Sequence, residues 1–155
     1  MARGFALVMI LLIATGDHRL EKDFFKAPQG NRVERLRRYS LQDQYKIFRY
    51  GNDKLVPAEI WLADPIAERG ASAIPFLMQQ LAESKDDPAV VDILVILRAM
   101  VTLRTYDVKR DSDLIDTLQK RISLMHSADW QAYCRERLEL LKHALRKPGD
   151  RRDVF

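Results

Sequence analysis

Three acidic residues flank a proline near the middle of the chain: Glu59, Asp64 and Glu68, with Pro65 among them. Neighbouring carboxylates can act as general acid and general base, and residues four apart lie on one face of a helix. Proline removes an interior helical hydrogen bond, so Pro65 should kink or divide this segment. An enzyme or accessory factor with a carboxylate site is therefore kept as an alternative function.

Four aspartates fall within ten residues further along the chain, at Asp107, Asp111, Asp113 and Asp116. Such a cluster suggests calcium, but an EF-hand loop also needs a glycine at its sharp turn and a closing bidentate glutamate. Both are missing from this stretch of sequence. Aspartates just before a helix or in its first turn are typical of N-capping. The sequence therefore predicts helix caps here and no metal site.

The single cysteine, Cys134, has no partner for a disulfide within the chain. His143 follows nine residues later, which on a helix puts the two side chains on roughly opposite faces and ~13 Å apart along the axis. A thiol and its base must be in hydrogen-bond contact, so this pair is not a catalytic dyad. The sequence also lacks the motifs of serine hydrolases, zinc proteases, phosphate-binding loops and Cys-x-x-Cys redox sites. We expect no catalytic residue, no cofactor and no enzymatic activity.

Charge is divided unevenly along the chain. Residues 17–55 hold ten Lys or Arg and six Asp or Glu, residues 56–141 hold ten and fourteen, and residues 142–155 hold five and two. Both ends are therefore basic around an acidic middle. The ends can either pair with the middle, which leaves a solvated surface, or remain free to bind a partner.

Aromatic side chains are interleaved with the densest basic cluster, which begins at Arg32. Arg and Tyr anchor protein interfaces, because both combine a large contact area with directional hydrogen bonds or stacking. We predict a partner-binding surface that consists of Arg35, Arg38, Tyr39, Arg49, Tyr50, Asn52 and Asp53. Its basic character favours a partner protein with an acidic surface.

The first sixteen residues have the organisation of a secretory signal peptide. Arg3 supplies a positive charge, ten apolar residues run from Phe5 to Ala14, and small residues follow up to Gly16. This run is about half of the ~20 apolar residues that a membrane-spanning helix needs. We expect cleavage after Gly16, no stable membrane span afterwards, and a periplasmic or secreted location where nucleic acid is a poor partner. The alternative is a short buried helix of a cytosolic protein.

Apolar residues recur at helical spacing after the leader, and no segment alternates with the period of a strand. The sequence predicts one all-α domain of five or six helices, either a compact bundle or a short helical stack. Ser40 is a good N-cap for a helix that Gly51 should end. Residues 17–39 are assigned to a charged arm that is weakly ordered or a short helix, 40–147 to the helical domain, and 148–155 to a frayed tail.

The segment from Ala89 to Leu103 is predicted to be the central helix. Between Val90 and Leu103 only Asp92, Arg98 and Thr102 are polar, and they fall within an arc of about 120° on a helical wheel. A helix that is apolar around the rest of its circumference must be covered on nearly all sides. A last helix, capped by Ser127, should bury the stripe Trp130, Tyr133, Cys134, Arg137, Leu138, Leu141 and Leu145.

The stretch from Ala73 to Leu103 reads AIPFLMQQLAESKDDPAVVDILVILRAMVTL: an apolar segment, an Asp-Asp-Pro turn and a second apolar segment. It resembles one HEAT-type helical repeat, and the preceding segment around Pro65 is similar to the bent first helix common in that family. The resemblance implies a small α-helical stack with a surface for protein binding. It covers about a fifth of the chain, and no second copy is found at the period of such repeats.

These observations favour an exported, non-enzymatic module that binds another protein, with an inhibitor-type or immunity-type role as its specific form. One alternative is the carboxylate enzyme described above. Another is an envelope-associated protein held by its basic ends, whose attachment should weaken as salt is added.

Export can be checked by intact-mass spectrometry of the protein released by osmotic shock. We expect a mature chain that begins at Asp17, because signal peptidase cleaves after small side chains such as that of Gly16. A mass that retains Met1 would contradict the signal-peptide interpretation.

Overall fold

The computed structural model describes residues 18–144, and this part of the chain is all-helical, as predicted. The signal peptide assigned to residues 1–16 and the tail assigned to 148–155 lie outside the described residues. Between 18 and 144 there are eight α-helices instead of the five or six expected, because the arm assigned to residues 17–39 forms two short helices. They are α1 (Arg19–Lys26), α2 (Arg32–Leu36), α3 (Leu41–Lys54), α4 (Asp64–Ala67), α5 (Ile74–Glu83), α6 (Asp87–Leu103), α7 (Ser112–Ser123) and α8 (Ala128–His143).

The centre of the fold is α6, as the sequence predicted. It contacts α3, α4, α5, α7 and α8, and Ile93, Ile96 and Leu97 are fully buried in it. The Asp86 carboxylate accepts a hydrogen bond from the Ala89 backbone N–H at 3.0 Å and so caps its N-terminus. None of the described helices is long and apolar enough to cross a membrane.

The α3 helix begins where its cap predicts but ends later. The Ser40 hydroxyl accepts a hydrogen bond from the Asp43 backbone N–H at 3.1 Å. The helix then continues through Gly51 to Lys54, so the prediction that Gly51 ends it was wrong. A Cβ atom at Gly51 would lie 2.9 Å from the Phe25 ring, which explains the glycine by close packing of α1 against α3.

The charged arm is a folded part of the molecule, and of the two forms expected it adopts the short helix, α1. Phe24 is 1% exposed and belongs to the core. Arg32 and Arg35 of α2 donate hydrogen bonds to the carbonyl oxygens of Phe25 and Phe24 at 3.2 and 3.3 Å, which holds the C-terminal end of α1.

Pro65 divides its segment, as expected. A 3-10 turn covers Ile60–Ala63, and α4 follows with Pro65 in its first turn, where the missing N–H costs no helical bond. Gly70 then adopts a left-handed φ of 55°, and a Cβ there would come within 2.6 Å of the Thr105 carbonyl oxygen. Only glycine fits this turn without strain.

The last two helices are capped as predicted, by Asp111 for α7 and by Ser127 for α8. The Asp87 carboxylate of α6 accepts hydrogen bonds from the backbone N–H groups of His126 and Ser127, each at 3.0 Å to its Oδ2 atom, and so fixes the start of α8 against α6.

The apolar stripe predicted on α8 is only half buried. Cys134, Leu138 and Leu141 face the core, whereas Trp130 is 46% exposed and Tyr133 is 38% exposed. The predicted stripe covers two neighbouring sides of α8. Only the side that carries Cys134, Leu138 and Leu141 packs against α6 and α7. Leu145 lies outside the described residues.

Candidate functional site

The seven residues predicted to bind a partner do not form one continuous free surface. Arg35, Arg38 and Tyr39 line a shallow concavity of about 300 Å³ beside α2. The other four lie on α3. Asp53 is exposed and pairs with Lys54 at 2.7 Å, while Arg49, Tyr50 and Asn52 make internal contacts.

Arg49 and Asn52 form a polar network with the N-terminal end of α6. The Arg49 guanidinium donates to Asp92 at 3.1 Å and to Asp86 at 3.0 Å, and the Asn52 amide donates to Asp92 at 2.8 Å. Burial raises the pKa of Asp92, and the hydrogen bonds from Asn52 and Arg49 act in the opposite direction. Arg49 and Asn52 therefore stabilise the buried negative charge of Asp92.

Tyr50 is an anchor for α1. Its ring stacks on Phe25 at a centroid distance of 5.8 Å and contacts the His18 ring at 5.4 Å. Tyr39 similarly meets Phe24 edge to face at 5.8 Å. Both tyrosines are partly buried, so only part of each ring is available to a partner.

The α2 concavity, which we define by Arg35, Arg38 and Tyr39, keeps one free cation. The Arg35 guanidinium lies 4.9 Å from the centre of the Phe24 ring, and the Tyr39 carbonyl accepts from Arg69 at 3.0 Å. Arg38 is exposed, and no described residue forms an ion pair or side-chain hydrogen bond with it. A carboxylate that entered the concavity would meet this unpaired charge.

The three carboxylates near Pro65 do not form a shared acid–base site, because arginines neutralise two of them separately. Glu59 is buried in an ion pair with Arg32. Glu68 accepts two hydrogen bonds from Arg37, at 2.8 and 2.6 Å, and these hold the pKa of Glu68 below its usual value. Burial and the charge of Glu68 raise the pKa of the third, Asp64.

Within the aspartate cluster, Asp111 has the predicted helix-capping role and Asp113 lies in the first turn of α7. A shallow concavity of about 450 Å³ is lined by Asp107, Asp111 and Asp113 together with Tyr106, Arg110 and Ser112. Asp111 caps α7 and accepts a hydrogen bond from the Tyr106 hydroxyl, and Asp107 pairs with Arg110 at 3.2 Å. Within residues 18–144, no group of three or more His, Cys, Asp or Glu side chains is placed to hold a metal ion.

Cys134 is buried, and burial raises the pKa of its thiol to about 11. The thiolate, which is the nucleophilic form, is therefore scarce at neutral pH. This environment fits the core position that Cys134 occupies on α8.

A second exposed surface lies on α8, and it was missed because Trp130, Tyr133 and Arg137 were assigned to the buried stripe. We call it the α8 face and define it by Trp130, Tyr133, Arg137 and Leu140, with Arg98 of α6 beside them. The four α8 residues are spaced by three, four and three, so they fall within about 80° on a helical wheel. The core stripe Cys134, Leu138 and Leu141 occupies the adjacent arc, and this second periodic row was the signal available in the sequence.

Residues 18–144 thus form an all-α fold with an exposed arginine at the α2 concavity and exposed apolar side chains on the α8 face. Comparison of the chain with protein-family models, with curated proteins and with solved structures found no match.

We expect Arg49→Ala to lower the free energy of unfolding by about 3 kcal/mol, because the substitution leaves the buried Asp92 carboxylate without its cation. Urea denaturation followed by circular dichroism measures this. Since burial raises the pKa of Asp92, the loss should shrink as the pH falls and Asp92 takes up a proton.

Lys46→Ala is the matched control on the same helix, because Lys46 is exposed and no described residue pairs with it. The free energy of unfolding of Lys46→Ala should lie within about 0.5 kcal/mol of that of the parent protein. An Arg49→Ala loss as small as that of the control would show that Arg49 is a free surface cation, as the sequence predicted.

Proposed function

We propose that this protein is an exported, non-enzymatic module that binds an acidic surface of another protein. The observation that carries the proposal is the unpaired Arg38 at the α2 concavity. Most of the neighbouring cations are bound internally: Arg32 by Glu59, Arg37 by Glu68 and Arg49 by Asp86 and Asp92. An arginine that is left free beside a tyrosine in a concave site is suited to a carboxylate of a partner.

Export is part of the proposal and is supported by the first sixteen residues of the sequence. An inhibitor-type or immunity-type role is its specific form: the module would cover the acidic surface of an exported enzyme. The separate pairing of Glu59 and Glu68 with arginines gives no support to the carboxylate enzyme as a competing function.

We further propose that α5 and α6 correspond to one HEAT-type repeat. The two helices are joined by a short turn, they contact each other, and Asp86 caps the second one. Arg121 of α7 donates to the carbonyl oxygens of Ser84 and Asp86 at 3.2 and 3.3 Å, so the turn is also held from outside the pair. Such a pair would serve as the rigid support for the binding surfaces on its neighbours.

The test is affinity capture from an envelope extract with immobilised parent protein, Arg38→Glu and Lys46→Glu. We expect Arg38→Glu to weaken retention of the partner by about fivefold or more, as loss of roughly 1 kcal/mol at an interface charge would do. Lys46→Glu makes the same charge change on an exposed position of α3 and should retain the partner. Thermal melts of all three proteins establish that each is folded.

If Arg38→Glu and Lys46→Glu lose retention of the partner equally, capture depends on net charge alone, and this result would contradict a specific site. Unchanged capture by Arg38→Glu would remove the α2 concavity as the binding surface. Capture that survives both substitutions but disappears when anionic lipid is removed from the extract would favour the envelope-associated alternative.

A further inference from the structure

Large apolar side chains on the α8 face are exposed side by side. Trp130 is 46% exposed and Leu140 is 45% exposed, and Tyr133 between them is 38% exposed. The Trp130 and Tyr133 rings pack edge to face, with 5.8 Å between their centroids, so they have a defined orientation. An exposed pair of packed rings with a further exposed leucine on the same side of the helix is typical of a binding surface, whereas single exposed apolar residues are common on any protein.

Two arginines without a countercharge adjoin these rings. The Arg137 guanidinium lies 4.9 Å from the centre of the Tyr133 ring, and its Nε atom is buried without a hydrogen-bond acceptor. Burial and the charge of Arg137 lower the pKa of Arg98, which is partly buried on α6. No described residue forms a hydrogen bond or ion pair with the Arg98 side chain.

None of the acidic residues of α8, which are Asp129, Glu136 and Glu139, forms an ion pair with Arg98 or Arg137. Glu139 pairs with Lys142 at 2.7 Å and with His143 at 3.5 Å. Glu136 is exposed on a different side of the helix, about 100° away from its neighbour Arg137. Two like charges therefore lie near each other in a partly desolvated place without a countercharge, an arrangement that favours an external anion.

We propose that the α8 face docks an acidic segment of a partner protein, with a carboxylate between Arg98 and Arg137 and apolar side chains of the segment against Trp130 and Leu140. Arginine donates to carboxylates in pairs of hydrogen bonds, so the guanidinium groups of Arg98 and Arg137 are suited to hold one carboxylate. Trp, Tyr and Arg are the residue types that dominate binding energy at protein interfaces. The α8 face lies on a different helix from the α2 concavity, so this proposal does not depend on binding at the α2 concavity.

Two other occupants fit the charges less well. A symmetric contact between two copies of this chain would bring the Arg98 and Arg137 pairs of both copies together, which is repulsive. An anionic membrane surface needs a cluster of about four to eight cations for stable attachment, whereas this face presents two. An acidic, partly apolar protein segment complements both the charge and the exposed rings.

The test uses a library of random 12-residue peptides displayed on phage and selected on the purified protein. We expect the selected peptides to be enriched in Asp or Glu flanked by apolar residues. Synthetic copies should bind the parent protein at least tenfold more tightly than they bind Arg137→Gln. Arg135→Gln is the matched control, because it removes the same charge from an exposed position on another side of α8 and should bind as the parent does.

Thermal melts separate docking from a structural role. Arg137→Gln should leave the melting temperature unchanged or raise it, since the substitution relieves repulsion with Arg98. A marked fall in melting temperature would show that Arg137 holds the fold together and would overturn the proposal.

Four further outcomes would also overturn it. The selected peptides could lack acidic residues, or Arg137→Gln and Arg135→Gln could bind them equally. Vesicles containing phosphatidylglycerol could bind the protein through Arg98 and Arg137 when the peptides do not. Sedimentation could show a dimer that Trp130→Ala dissolves, which would assign the face to a second copy of this chain.

Discussion

The burial of α6 is the constraint on which the rest of the structure depends. Its apolar residues cover most of the helix circumference, so water must be excluded from nearly every side. Five other helices provide this cover, and the short 3-10 turns between them allow the chain to change direction often enough to surround it. The same constraint creates a problem at Asp92, which is a carboxylate on a helix that has little contact with water. Arg49 and Asn52 of α3 donate hydrogen bonds to this carboxylate, and these bonds also fix how α3 packs against α6.

Internal charge pairing then determines which cations remain for binding. The basic N-terminal third and the acidic middle of the chain meet across the fold in the pairs Arg32–Glu59, Arg37–Glu68 and Arg49–Asp86. Of the two interpretations that the charge distribution allowed, internal pairing with the acidic middle therefore describes Arg32, Arg37 and Arg49, which are three of the ten basic residues between 17 and 55. Arg38 at the α2 concavity and Arg98 and Arg137 at the α8 face have no carboxylate partner among the described residues, and Arg38 and Arg137 lie beside tyrosines.

Local signals in the sequence were enough for the class of fold and for several helix starts. Ser40, Asp111 and Ser127 each accept a hydrogen bond from the backbone N–H three residues later, so their effect is confined to one turn and can be recognised without a structure. The central position of α6 was predictable for a similar reason, since composition alone shows that the helix has almost no polar side.

Contacts between distant residues could not be predicted in the same way. The partner of Arg49 is 43 residues away in the sequence, and that distance explains why Arg49 and Tyr50 were assigned to a free surface. Gly51 was taken for a helix end because the approach of Phe25 is not visible in the sequence. On α8, the stripe that contains Trp130 and the stripe that contains Leu138 are adjacent, and only the position of α6 decides which is buried.

The most direct measurement of the central claim is the free energy of unfolding of Leu97→Ala and Leu103→Ala, two truncations of the same residue type on α6. Leu97 is fully buried, whereas Leu103 at the end of the helix is 39% exposed. If α6 is enclosed by its neighbours, Leu97→Ala should cost about 2–5 kcal/mol and Leu103→Ala clearly less. Losses below about 1 kcal/mol for both variants would contradict the enclosure of α6 and the architecture built around it.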